Sequence, residues 1–148
     1  MKEIRLSSKL TNLGLYGGSL LYLVMIPVIF KAIESKNFHI GMLFAGAVAI
    51  VMAGFLIYQF KYVCNAKIIN NKLVLKKQFS SPETYTFDKI GDISSFRLKN
   101  TKYTTVKMKN RHQGFEKYMI ITSKSFFFTD KIDAEKKLNQ LKHLERKI

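Results

Sequence analysis

Charge is missing from two long stretches of this chain. No Asp, Glu, Lys or Arg occurs in residues 10–30 or 37–60, runs of 21 and 24 residues. At 1.5 Å rise per residue they make roughly 31 and 36 Å of helix, against a bilayer core about 30 Å thick. Acidic residues are scarce throughout, 10 Asp and Glu against 25 Lys and Arg. A single cysteine, Cys64, excludes an intramolecular disulfide and with it a disulfide-stapled secreted fold. No H-x-x-x-H, C-x-x-C or carboxylate cluster occurs, and His39, His112 and His143 are scattered, so neither a metal nor a cofactor is expected. There is no G-x-S-x-G and no Gly-rich loop followed by Lys-Ser/Thr. Asp88, Asp92, Asp130 and Asp133 fall at turns and a helix cap, where Asp belongs on structural grounds alone. The sequence therefore predicts a protein that is not an enzyme.

What is present divides sharply. Residues 1–60 are mostly apolar, whereas residues 61–148 hold 20 of the 25 Lys and Arg and 8 of the 10 Asp and Glu. That break marks the expected boundary: a transmembrane hairpin over 1–61, with helices at about 10–33 and 37–60, then a polar domain over 62–148. The latter is long enough for one small core. The first apolar run exceeds the h-region of a signal peptide, about 7–15 residues, and no A-x-A-like cleavage site follows it, so it is read as a retained helix.

Basic residues in the flanks orient the hairpin. Lys2, Arg5 and Lys9 precede it, and Lys61, Lys67, Lys72, Lys76 and Lys77 follow it. The connection carries only Lys31 and Lys36, against Glu34. The positive-inside rule then places both termini in the cytoplasm, in a multi-pass inner-membrane protein. Gly14 and Gly18 in the first helix, and Gly41, Ala45, Ala49 and Ala53 in the second, form ridges of small residues suited to close helix packing, within one chain or between copies. Pro27 is a kink candidate, and Tyr22 near mid-span needs a hydrogen-bond partner. Tyr58, Phe60 and Tyr62 suit an interfacial belt.

Beyond Phe60 the hydrophobic period changes to two, through Val63, Ile69, Leu73, Leu75 and Phe79. Asn70-Asn71 fits a tight hairpin turn, and Ser80-Ser81-Pro82 is the next turn signal. Alternation resumes in residues 84–87, 96–99 and 103–109, and residues 117–122 form a near-continuous apolar strand. The chain ends in a helical pattern (Ile132, Leu138, Leu141, Leu144, Ile148) that Thr129 or Asp130 caps, with Asp133 in its first turn. The count is six or seven strands and one terminal helix, an α+β domain.

This order of elements resembles the pleckstrin-homology-like domains of small bacterial membrane proteins, in which a transmembrane segment precedes the domain. The resemblance rests on the Asn70-Asn71 hairpin within residues 66–75, the Phe87-Asp88-Lys89-Ile90 step, paired strands around Val106 and Ile120, and the terminal helix. It implies a bent antiparallel β-barrel closed by the C-terminal helix. It brings no catalytic signature and no ligand motif that matches residue by residue.

Only the basic residues look like a site. Arg97 and Lys99 alternate on one strand and Lys107, Lys109 and Arg111 on the next, with Lys102 and Lys117 nearby if these strands pair. They form a candidate anion-binding surface, although a solvated sheet face carries lysines too. The polar segment's excess of twelve positive charges goes beyond what solubility asks of its size. The anionic partner expected is the lipid headgroup, whose leaflet attracts each nearby Lys or Arg by about 1 kcal/mol. Nucleic acid is not expected, for want of a recognition module. The leading expectation is a non-enzymatic membrane protein whose cytoplasmic domain binds a protein segment or anionic headgroups. The alternative is an accessory or immunity-type subunit that acts through its hairpin, on a protein partner or another copy of itself.

Overall fold

The structure, a computed structural model, describes residues 3–34, 39–110, 114–123 and 132–145. The chain forms two compact units, one from Asn12–Phe60 and the other from Met1–Thr11 together with Lys61–Ile148.

The apolar unit is a pair of helices, α1 (Thr11–Glu34) and α2 (Ile40–Tyr62), both long and apolar enough to cross a membrane. These bounds follow the expected 10–33 and 37–60, with residues 37 and 38 outside the described residues. No residue of α2 is buried, and Leu23 and Phe44 are 63% and 74% exposed. An apolar surface this extensive suits lipid rather than water. The less exposed positions recur in steps of three and four: Ser19, Tyr22, Ile26 and Ile29 in α1, and Met42, Gly46, Ala49, Ala53 and Leu56 in α2. The Tyr22 hydroxyl donates to the Ala49 carbonyl at 3.1 Å, which gives the mid-span phenol its partner.

The polar unit holds two antiparallel sheets and a helix. β1 (Ile4–Arg5), β2 (Cys64–Ile69), β3 (Lys72–Lys77) and β4 (Glu83–Tyr85) form the first sheet in that order. β5 (Ile90–Leu98), β6 (Thr101–Lys109) and β7 (Phe115–Ser123) form the second. Asn70 and Asn71 adopt φ of 49° and 57° at the β2–β3 turn, a backbone that Asn tolerates better than most residues. The helix α3 (Ala134–Glu145) turns Ala134, Leu138 and Leu141 onto one face. These join Ala66, Leu75, Val106 and Ile120 in a single core shared by both sheets.

Three expectations are corrected. The strands do not close into a barrel: β4 is only three residues long, and a 3₁₀ turn at Phe87–Lys89 leads the chain into the second sheet. Val63, just before β2, forms an isolated parallel bridge to Met119 of the second sheet. The leader, grouped with the hairpin by composition, belongs to the polar unit: Ile4 pairs with Ile68, Arg5 with Lys67, and Leu6 is buried in the core. The cap of α3 is Asp133 itself, whose Oδ1 accepts from the Glu135 and Lys136 amides at 3.1 and 3.4 Å. Thr129 and Asp130 lie outside the described residues.

Candidate functional site

Register decides which basic residues share a surface. Thr104, Val106 and Met108 of β6 are buried, so the even positions of that strand face the core and the odd ones face outward. Lys107 and Lys109 point outward, with Lys117 directly across from Lys107 on β7 and Phe115 across from Lys109. Lys102 has the opposite parity. Its ammonium lies 2.9 Å from Asp133 and 2.6 Å from Glu135, on the cap and first turn of α3, with the side chain only 16% exposed. Burial works against that charge, but the hydrogen bonds to Glu135 and Asp133 outweigh it and raise the Lys102 pKa. Asp133 moves the other way: burial opposes its charge, and the Lys102 and backbone hydrogen bonds overcome that and lower its pKa. The Glu135 carboxyl is lowered chiefly by its bond to Lys102. Lys102 thus ties β6 to α3.

Arg97 sits opposite Lys102 in the ladder and shares its parity. Lys99 occupies the β5–β6 turn with φ of 50°, off both faces. Arg111 lies outside the described residues. The structure therefore brings Lys107, Lys109 and Lys117 together and separates Arg97, Lys99 and Lys102 from them. Lys107 is met by Asp92 at 3.1 Å in an exposed pair, which adds little stability in water.

Between and beside these lysines the outward face is apolar. Phe96, Tyr103 and Ile121 stand in one cross-strand row. The rings of Phe96 and Tyr103 stack with centroids 4.9 Å apart. Phe96, Leu98 and Phe115 are 51%, 59% and 62% exposed. The sequence reading missed these residues, because simple alternation through residues 90–98 turns Phe96 inward. A register shift between Ile90 and Ile93 reverses the parity. Gly91 permits it: a Cβ there would come within 2.8 Å of the Lys107 carbonyl oxygen. A glycine inside a strand pattern was the available signal.

The chain enters and leaves the polar unit beside the same sheet. The Ser8 amide donates to the Ile121 carbonyl at 2.8 Å, and Val63 bridges Met119 two residues earlier on β7. The Tyr62 ring has Lys61 and Lys117 ammoniums 5.5 and 5.1 Å from its centroid.

One other polar cluster is partly buried in the fold. Tyr85 and Tyr118 both donate to the Glu83 carboxylate, with their hydroxyl oxygens 2.9 Å apart, and Lys77 pairs with Glu116 while lying 4.5 Å from the centre of the Tyr118 ring. Burial, and then the hydrogen bond to Glu83 for Tyr85 and the one to Tyr85 for Tyr118, push both phenols well above their usual range. Cys64 is fully buried, and burial raises its thiol to about 12. Among the described residues no three His, Cys, Asp or Glu gather where a metal ion would bind. A depression of about 400 Å³ beside the Gly91 shift mixes Asp88 and Asp92 with Lys109 and Lys142.

In the apolar unit, an added Cβ at Gly18 would meet Leu56 at 3.7 Å, and Ala49 and Ala53 lie on the less exposed stripe of α2. Gly14 and Gly41 have open space where a Cβ would go, and Ala45 is exposed. Comparison of the chain with protein-family models, with curated proteins and with solved structures returns no match.

Proposed function

We propose that the chain is a non-enzymatic, two-span protein of the bacterial inner membrane, and that its polar unit is a pleckstrin-homology-like module binding anionic headgroups or a protein segment at the membrane surface. The observation that carries this reading is the joining of residues 4–8 to β2 and β7. A hydrogen-bonded unit cannot straddle a bilayer, since its open backbone groups have no partners in lipid. Both ends of the apolar pair therefore lie on one side, and the basic flanks make that side the cytoplasm. Two antiparallel sheets and a terminal helix around one core support the pleckstrin-homology-like reading as an open form of that fold. The surplus of twelve cations over carboxylates in residues 61–148 supports an anionic partner.

Cysteine accessibility tests the reading. The buried Cys64 leaves a quiet background for impermeant thiol reagents. Cysteines replacing Glu3 and Asp92 should be labelled from the same side, the cytoplasmic one, and a cysteine replacing Ser35 only from the other. Labelling of positions 3 and 92 from opposite sides would overturn the proposal. A second reading, an accessory or immunity-type subunit acting through the hairpin, draws on the open space at Gly14 and Gly41. Leucine at Gly41 and Ala45 would abolish activity in that case and spare it in the first.

A further inference from the structure

The outward face of β5–β7 combines what an interfacial lipid surface requires. Exposed aromatic and aliphatic side chains, Phe96, Leu98 and Phe115, stand beside Lys107, Lys109 and Lys117 on one side of one sheet. Exposed Phe and Leu side chains bury at the headgroup–acyl boundary of a bilayer, and lysines lay their stems along apolar surface while holding the ammonium at the phosphates. The face also has a fixed relation to the chain's entry and exit. Ser8, three residues before α1 begins, bonds to Ile121, and Ile121 stands in the same row as Tyr103 and Phe96. Val63, the residue after α2 ends, bridges Met119 on the same strand. The longest excursion the chain can make from the end of α2 to this sheet is a single residue, and a Debye length at physiological salt is about 8 Å.

We propose that the outer face of the three-stranded sheet lies on the bilayer that holds α1 and α2, with Phe96, Leu98 and Phe115 entering the headgroup region and Lys107, Lys109 and Lys117 binding anionic lipid phosphates. This rests on the two-span reading above and assigns the surface and the lipid chemistry that reading leaves open. Arg97 and Lys102 take no part, because their parity turns them to the α3 side.

The chain contains no tryptophan, so one introduced indole reports its own surroundings. Phe96→Trp keeps an exposed aromatic in place. Lys72→Trp, at the β2–β3 turn, is the control, since the length of β2 separates that turn from the end of α2. Each full-length variant is reconstituted in vesicles of neutral lipid, and in vesicles carrying anionic lipid, with bromine on the upper acyl chains. The indole of Phe96→Trp should be blue-shifted and strongly quenched in anionic vesicles, while that of Lys72→Trp stays bright. Replacing Lys107 or Lys109 by Gln in the Phe96→Trp chain should lower its docked-to-undocked ratio by about fivefold per lysine. Equal brightness of the two indoles in chains that float with the vesicles would overturn the lipid-facing assignment alone and give the face to a protein partner. Equal quenching of the Phe96→Trp indole in neutral and anionic vesicles would overturn the role given to the lysines. A chain that fails to float with any vesicle would overturn the two-span reading itself.

Discussion

Thr104 carries an energetic cost in the polar unit. It lies on the core face of β6, fully buried, and its Oγ1 has no hydrogen-bond partner among the described residues. A buried hydroxyl without a partner has given up water for nothing, a penalty of about 1–3 kcal/mol. Valine keeps the shape and removes the polar atom. Thr104→Val is therefore expected to stabilise the unit by about 1 kcal/mol, read as a higher melting midpoint in detergent. Thr122 is the matched control, because its Oγ1 donates to the Lys102 carbonyl at 3.4 Å. Thr122→Val should give no such gain. A lower midpoint for Thr104→Val would show that the hydroxyl holds something this geometry does not reveal.

Among the elements, β1 has the greatest consequence for its length. Two paired residues bring Leu6 into the core, where it is 1% exposed, and Ser7 Oγ accepts the Ala66 amide at 3.2 Å. The arm also covers the free edge of β2, which would otherwise offer unpaired backbone to other chains. Leu6→Ala should cost about 3 kcal/mol, a loss visible as a lower midpoint of the β signal in circular dichroism, with the helical signal of α1 and α2 retained. An unchanged midpoint would mean that the arm is an ornament of the sheet. Elements governed by local pattern were legible in the sequence: the two uncharged helices, the Asn70-Asn71 turn, and the apolar face of α3. The arm was not, because a two-residue strand has no period and its partner lies about sixty residues away. Parity in β5 failed at Gly91, where one shifted register turned Phe96 outward. Which basic residues share a face was half legible for the same reason: the shift turns Arg97 to the side of Lys102, whereas alternation alone sets Lys102 apart from Lys107.

For the polar unit as a whole, two sets of buried or paired groups bound the pH range of stability. On the acid side, Asp133 and Glu135 have lowered pKa values through Lys102. Their contribution is present above the unfolded values of 3.8 and 4.5 and is lost as pH falls through the folded ones. On the alkaline side Cys64 acts first. Its thiol ionises near 9.0 when unfolded and only near 12 in the fold, so the unfolded chain releases a proton that the folded one keeps. The Cys64 contribution is level below pH 9.0 and falls steadily between 9.0 and about 12, by at most roughly 4 kcal/mol. Tyr85 and Tyr118 add to that fall only above their unfolded value of 10.0, and the raised Lys102 above 10.5. The window between pH 9 and 10 therefore belongs mainly to Cys64. Melting midpoints of the wild-type chain should decline across it, while those of Cys64→Ala, lower at neutral pH by the lost packing, should stay level until the tyrosines titrate. Parallel declines in the two proteins would place the alkaline sensitivity elsewhere and show that the thiol is not held neutral by its burial between the sheets.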